Sequence, residues 1–375
     1  MLLLTNAQLV LPGAVLRGTV ALSGALIAEV QPGTSAAPGA LDLDGDYLIP
    51  GVVDLHTDNL ERQVQPRTNA RWPSRSAMLA HDAQCASAGV TTVLDALCLG
   101  DLNQQTERTR TFHDGVADLD ALAGTGLLKA EHLLHLRCEL PAPDMMPLLD
   151  PVAEHPRVRM VSLMDHTPGV GQNQDLDRYR ALRRKEGMDP AVLERSMAAL
   201  QEQRARLRGP NRAALLARMR GLPAALASHD DRTAEDVAEN DADGVRIAEF
   251  PVTMEAAEAA RGRAMPVIAG APNLVRGGSH SGNVAAAALV RRGLVDALAS
   301  DYVPASLVEA AFGAVAEGIA LPEAVALVTA SPARLAGLPD RGRIAPGLRA
   351  DLVRVRVHEG LAVVRQVWRG GERVA

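Results

Sequence analysis

The sequence predicts an α/β fold: a TIM-like (β/α)8 barrel with a small β-sandwich domain built from both chain ends. Three observations carry this. The middle of the chain alternates apolar, strand-like runs with helical stretches eight times, the pattern of a parallel sheet. Both ends instead read as short strands parted by turns. Nearly every strand-like run in the middle also closes on a histidine, a carboxylate or an amide, at the strand end where a barrel collects its chemistry.

In chain order, residues 1–49 contain LLLTNAQLV, VALSGALIAEV and the start of YLIPG, with the Pro-, Gly- and Ser-rich loop QPGTSAAPGA between the last two. Residues 339–375 contain RIAPGLRADLVRVRV and LAVVRQVWRGG, so the two ends are expected to pair into one β domain. The barrel is expected over 50–338, on the strands GVVDLH, VTTVLDA, HLLHLRCEL, VRMVSLMDH, AALASHD, GVRIAEF, MPVIAGAP and VDALASD. Helices between them include SAMLAHDAQCASAG and SGNVAAAALVRRG. One helical, strongly charged stretch from about 170 to 221 breaks the rhythm. It reads either as a solvated excursion or as a lid over the barrel mouth, because loops on that face lie beside the chemistry.

Composition excludes several classes. At 375 residues the chain suits two domains, or one large barrel with an appendage, at about 150 residues per domain. Hydrophobic residues are 47% and charged residues 22%, a globular balance. A net charge of −6 and 2% aromatic residues argue against nucleic acid as a partner. No apolar run is long enough to span a bilayer, and MLLLTNAQLV lacks the basic leader of a signal peptide. Cys85, Cys98 and Cys138 form no CxxC pair and read as buried thiols of a reducing compartment, which favours the cytoplasm. Lys129 and Lys185 are the only lysines, so arginine carries nearly all positive charge.

The stretch PGVVDLHTDNLE places a histidine and three acids directly behind an apolar run. Period-two alternation would put Asp54, His56 and Asp58 on one face, able to meet a cation; a solvated turn is the alternative. His166 and His229 also stand at strand ends beside acids, and histidine is the commonest neutral metal ligand. Asp301 closes the last strand as a candidate metal ligand and proton acceptor, with a helix cap as its alternative. His81 reads as a satisfied helix residue. His132, His135, His155 and His358 read as structural or surface residues, and His113 as solvated. His280, in GGSHSGN, is a candidate substrate contact, while the roles of Asp95 and Glu249 stay open.

The β–barrel–β order, the PGVVDLHTD entry, the terminal Asp301 and GRIAPGLRADLV resemble the amidohydrolase superfamily of metal-dependent hydrolases, over essentially the whole chain. That resemblance implies one or two divalent ions, zinc first with manganese or iron as alternatives. It implies His56, Asp58, Glu139, His166, His229 and Asp301 as ligands, and Asp301 as catalytic proton shuttle. Two departures stand out. HTD replaces the superfamily's HxH, so Asp58 takes the second histidine's place. No lysine falls where a carboxylated bridge would be, which leaves Glu139 as its substitute.

Within the superfamily, HTDNLE, RWPSRSAMLAHDAQ, GVTTVLDAL, HLLHLRCEL and LMDHTPGVGQ look like the diphosphatases of the carbon–phosphorus lyase pathway. The implied substrate is a phosphorylated small molecule, α-D-ribose 1-methylphosphonate 5-triphosphate, cleaved to the 5-phosphate and pyrophosphate. Arg67, Arg71, Arg75, Arg137 and Arg276, with His280, are then expected to meet phosphate, since guanidinium forks match its oxygens; the chain's general use of arginine weakens that signal. An amide or cyclic-amide hydrolase on the same scaffold would share every ligand but needs no arginine cluster. A non-catalytic binding barrel should have lost the strand-end ligands. A homo-oligomer is left open.

Overall fold

The computed structural model describes residues 1–67, 70–102, 106–279 and 281–375. Five strands come first: β1 (Leu2–Leu11), β2 (Ala14–Ser23), β3 (Leu26–Pro32), β4 (Leu41–Asp42) and β5 (Tyr47–Pro50). Only Gly51 separates β5 from β6 (Val52–Thr57), the first barrel strand. A Cβ at Gly51 would collide with the Thr91 and Asp351 side chains, so the crossing between the two domains needs a glycine there.

The barrel continues with β7 (Val90–Leu99), β8 (Glu131–Glu139), β9 (Val158–Met164), β10 (Ala225–His229), β11 (Ile247–Glu249), β12 (Val267–Gly270) and β13 (Ala297–Ala299). Each pairs in parallel with the next. The last strand meets the first through a parallel bridge between Thr57 and Asp301. Asp301 N–H donates to His56 C=O at 2.9 Å, and Asp58 N–H donates to Asp301 C=O at 2.8 Å. The eight expected strands are therefore all present and in sequential order.

Val53, Leu94, Leu133, Met160, Ala227, Ile247, Ile268 and Ala297, one from each strand, pack into a buried layer inside the barrel. Alternation then dictates what lies above it. Two residues further along their strands come His135, His229 and Glu249, so a polar layer sits on the apolar one. Further apolar cores lie between the sheet and its helices.

After the barrel, β14 (Leu352–His358), β15 (Leu361–Arg369) and β16 (Glu372–Arg373) complete the terminal domain. Antiparallel pairing of β14 with β5 joins the two chain ends into one sheet, in the order β16-β15-β14-β5-β1-β2-β3. The sheet curls on itself: Ile27 N–H donates to Leu348 C=O and Ala350 N–H to Ala25 C=O, tying β3 to the approach of β14. Leu4, Leu9, Val20, Leu48, Leu352 and Trp368 fill the enclosed core, as expected of a sandwich.

The charged stretch after β9 forms the helices Leu176–Lys185 and Pro190–Met219, started by the N-caps Asp175 and Asp189. The long helix docks on the rim beyond β8 and β9. Asn211 Nδ2 donates to the carbonyls of Leu140 and Ala142 at 2.8 and 2.9 Å, and Arg204 Nε to Asp165 Oδ2 at 2.6 Å. Among the described residues no helix is long and apolar enough to cross a membrane.

Candidate active site

At the C-terminal ends of the barrel strands, Glu249 sits fully buried between two imidazoles. Its Oε1 accepts from His56 Nδ1 at 2.8 Å and its Oε2 from His229 Nδ1 at 2.7 Å. Burial opposes its charge, but the His56 and His135 rings and its two hydrogen bonds hold its carboxyl well below the usual range. With Nδ1 committed on both rings, Nε2 is left to act. His56 Nε2 is buried with no hydrogen-bond partner.

His166 is held in the same way by Glu139, which accepts from its Nδ1 at 2.6 Å and from its backbone N–H at 2.8 Å. The free nitrogens of His166 and His229 lie 3.9 and 3.8 Å from one oxygen, Asp230 Oδ2. That oxygen is itself buried and has no hydrogen-bond partner. These spacings exceed a hydrogen bond and suit groups gathered round a small cation. The donor atoms of His166, His229 and Asp230 lie within 4.8 Å of one another, as do those of His56, His229 and Glu249. Nitrogen and carboxylate donors oriented by outer carboxylates form the donor set of a transition-metal site, so the residues fit such an ion.

Three residues just past strand ends have positive φ: Asp230 at 59°, Phe250 at 53° and Asp301 at 56°. L residues rarely take this conformation, which costs about 1–3 kcal/mol each and clusters at active sites. All three line a cavity of about 620 Å³ at the barrel mouth, with Asp58, His229 and Arg137. Burial pushes the Asp58 carboxyl up to about 7, opposed by Arg137 and reinforced by the nearby Asp301. Arg137 Nη1 lies 3.8 Å from Asp58 Oδ2, and both Nε and Nη1 of this buried guanidinium lack a hydrogen-bond partner.

The expected residues are thus sorted. His56, His166 and His229 come together, and Asp58, Arg137, Arg276 and Asp301 line the cavity. Glu139, expected to bridge metals, instead has both oxygens engaged by His166 and orients it. The single face expected for Asp54, His56 and Asp58 is interrupted by a register shift between Asp54 and Thr57. Asp54 turns to accept from Ser300 N–H at 3.1 Å.

Arg71 and Arg75 are placed elsewhere. Arg71 pairs with Glu107 and Asp114 at 2.8 and 2.6 Å, and Arg75 with Asp118 at 3.0 Å, in the outer helical layer. Arg67 is exposed, with its backbone bridged to Ala70. His280 lies outside the described residues. Asp95, left open by the sequence, is a buried partner of His81 and His132 at 2.7 and 2.8 Å, away from the mouth.

Glu249, Asp230 and His135 were not assigned to the site from sequence. His135 Nδ1 lies 3.1 Å from Leu55 C=O, its Nε2 pairs with Ser162 Oγ at 2.9 Å, and its ring stands edge-on to His56. The signal for it was present: His135, Arg137 and Glu139 alternate along β8, so one inward face carries all three.

Comparison with known proteins agrees with this architecture. The model of the amidohydrolase family matches residues 92–375. Over all of both chains the sequence is 42% identical to the alpha-D-ribose 1-methylphosphonate 5-triphosphate diphosphatase of Escherichia coli (strain K12). It is 25% identical to an adenine deaminase of Desulfatibacillum aliphaticivorans, over 94% of this chain and 54% of that one. Among solved structures, molinate hydrolase superposes with a TM-score of 0.68 at 12% identity, covering 99% of this chain and 94% of that one. An N-acetyl-D-glucosamine-6-phosphate deacetylase from Mycobacterium smegmatis gives 0.64 at 19% identity, over 100% and 99%. A barrel with oriented histidines and carboxylates at its mouth, a β domain from both ends and these matches lead to one conclusion: the chain belongs to the amidohydrolase family of metal-dependent hydrolases.

Proposed function

We propose that the chain hydrolyses α-D-ribose 1-methylphosphonate 5-triphosphate to the 5-phosphate and pyrophosphate, in the cytoplasm, as a step of phosphonate catabolism. The observation that carries this reading is 42% identity, without gaps in coverage at either end, to a diphosphatase of that substrate. The site supports it independently through Arg137, a buried guanidinium beside the candidate ligands with two nitrogens that make no hydrogen bond. A polyanion suits such a group, whereas a neutral cyclic amide does not.

His56, His166, His229 and Asp230 would hold one or two divalent ions, zinc in this reading, with Glu249 and Glu139 fixing the rings. A bound ion would polarise the phosphoryl group and lower the pKa of the attacking water to about 7. Water oxygen then bonds to the α-phosphorus. The bond from that phosphorus to the oxygen bridging towards the β-phosphorus breaks, and its electron pair leaves with pyrophosphate. Asp301, at the cavity wall, takes the water's proton on its carboxylate. Arg137 stabilises charge developing on the phosphoryl oxygens.

The test is phosphorus NMR of the purified holoprotein with the ribosyl triphosphate. Pyrophosphate and the 5-phosphate in equal amounts are expected. Release of orthophosphate alone, or turnover only of a cyclic amide, would overturn the reading.

A further inference from the structure

Beside the cavity of about 620 Å³ lies a second one of about 420 Å³, roofed by the helix Leu176–Lys185. Arg137, Gln172 and Ser281 line both, so the two chambers share a wall at the site. The candidate ligand set is divided between them. His229 and Asp230 face the larger chamber, and His166 with its partner Glu139 faces the smaller.

The chambers differ in chemistry. The smaller collects Arg108, Arg178 and Arg183 in addition to Arg137. Of its carboxylates, Glu139 is engaged by His166 and Asp175 caps its helix, accepting from the N–H groups of Asp177 and Arg178. Glu61 and Asp101 offset part of the Arg108 charge, and Arg183 Nη1 also meets Glu186 at 2.9 Å on the exposed side of the helix. Arg178 reaches across the mouth to Gly282, where any Cβ would run into the guanidinium, so the helical insertion closes this chamber against the loop after β12. The larger chamber instead sets Arg62, Arg137 and Arg276 among the carboxylates of Asp58, Glu61, Asp230 and Asp301, beside apolar Phe250 and Val284.

A triphosphate cleaved at its α-phosphorus also has two unlike halves. Pyrophosphate is compact and highly charged and needs several guanidinium forks. The ribosyl methylphosphonate offers sugar hydroxyls and one distant anion, which suits a wall of mixed apolar faces, acceptor carboxylates and a few cations. We infer that the substrate straddles the shared wall, with its pyrophosphate end held by Arg108, Arg178 and Arg183 and its ribosyl methylphosphonate end in the larger chamber near Arg276. This polarity rests on the diphosphatase reading, but the anion chamber is testable without turnover.

The experiment titrates the metal-loaded protein calorimetrically with inorganic pyrophosphate and, separately, with α-D-ribose 1-methylphosphonate 5-phosphate, which keeps the methylphosphonate. The proteins compared are the parent, an R178Q/R183Q variant and an R276Q variant, at equal metal content. Each charge-assisted hydrogen bond lost from phosphate costs about tenfold in affinity. R178Q/R183Q is therefore expected to weaken pyrophosphate at least tenfold and the ribosyl methylphosphonate 5-phosphate less than twofold, and R276Q to weaken only the latter. R108Q serves as the second chamber variant should the double variant misfold. Unchanged pyrophosphate affinity in the chamber variants, no pyrophosphate binding by the parent, or equal loss in R276Q overturns the assignment. Chamber-dependent pyrophosphate binding by a protein that cleaves no triphosphate would sink the reaction and leave the anion site standing.

Discussion

Glu249 and His56 meet inside the barrel through a 2.8 Å hydrogen bond from Nδ1 to Oε1, and both side chains are sealed from solvent. The carboxylate's other oxygen holds His229, so one acid fixes the tautomer of two rings. Glu249→Gln removes one acceptor and leaves an amide N–H₂ facing an imidazole N–H. Losing such an outer carboxylate typically costs about 10–100-fold in metal affinity. The expected result is a metal dissociation constant raised by that factor, read by competition with a chelating dye. Unchanged affinity would mean the pair only fills the barrel.

Arg137 and Arg71 should separate cleanly. Arg137 presents donors that make no hydrogen bond within the protein, so Arg137→Gln is expected to lower kcat/KM by about 10²–10³. Arg71 is spent on Glu107, Asp114 and Thr111, so Arg71→Ala should lower the melting temperature while kcat/KM stays within about threefold. Steady-state kinetics and thermal melts on both variants check this. A catalytic loss in Arg71→Ala larger than in Arg137→Gln would reverse the two roles.

Lys129 offers a control on the bridging group. Its Nζ donates to Val374 C=O at 2.9 Å, where the barrel meets the terminal domain. Lys129→Arg should leave metal content unchanged by elemental analysis. Metal loss would reveal a modified lysine that this position does not suggest.

The buried chain Asp82–His132–Asp95–His81 predicts a pH dependence of stability. Both nitrogens of His132 face carboxylates, at 3.1 Å to Asp82 and 2.8 Å to Asp95. Burial opposes its charge, yet those two acids raise its pKa from 6.5 to about 9. A raised histidine contributes stability that is complete below pH 6.5 and is lost as pH climbs through 9. Its slope is at most about 1.4 kcal/mol per pH unit for one proton. Urea denaturation between pH 6 and 9.5 should show this decline, and His132→Gln should start lower and flatten it. Identical pH profiles in parent and variant would remove His132 from the account.

Much of this was legible in the sequence, and the residues show where legibility ends. The barrel strands could be read because buried parallel strands are continuous apolar runs, several with a polar residue at or just past the end, such as His229 closing β10 and His166 two residues beyond β9. Glu249 could not be ranked, since in the run GVRIAEF Val245 and Ile247 share its face while Ala248 and Phe250 make the other face apolar too, so alternation does not mark the inward one. Arg71 and Arg75 misled for a different reason. A cluster after the first strand looks like a phosphate cradle, but Glu107, Asp114 and Asp118 form a stripe on one face of the helix Thr106–Leu122 and draw it outward. Glu139 was found at the right strand end but given a direct ligand's role, because strand position says where an oxygen lies and not which hydrogen bonds occupy it.

Asp301 carries the last prediction. Its backbone closes the barrel, donating to His56 C=O and accepting from Asp58 N–H, and its φ of 56° is unusual for any residue with a side chain. Asparagine tolerates that conformation better than most residues, so Asp301→Asn should keep the closure intact where Asp301→Ala would add backbone strain. The amide cannot take the attacking water's proton, and losing a general base typically costs about 10²–10⁴ in rate. Turnover per bound metal is therefore expected to fall at least a hundredfold in Asp301→Asn, with melting temperature close to the parent's. Dividing by metal content matters, because a carboxylate this close to Asp58 also bears on how well an ion is held. Undiminished turnover at equal occupancy would leave Asp301 as the residue that closes the barrel and pass the base to another group at the mouth, Asp58 first.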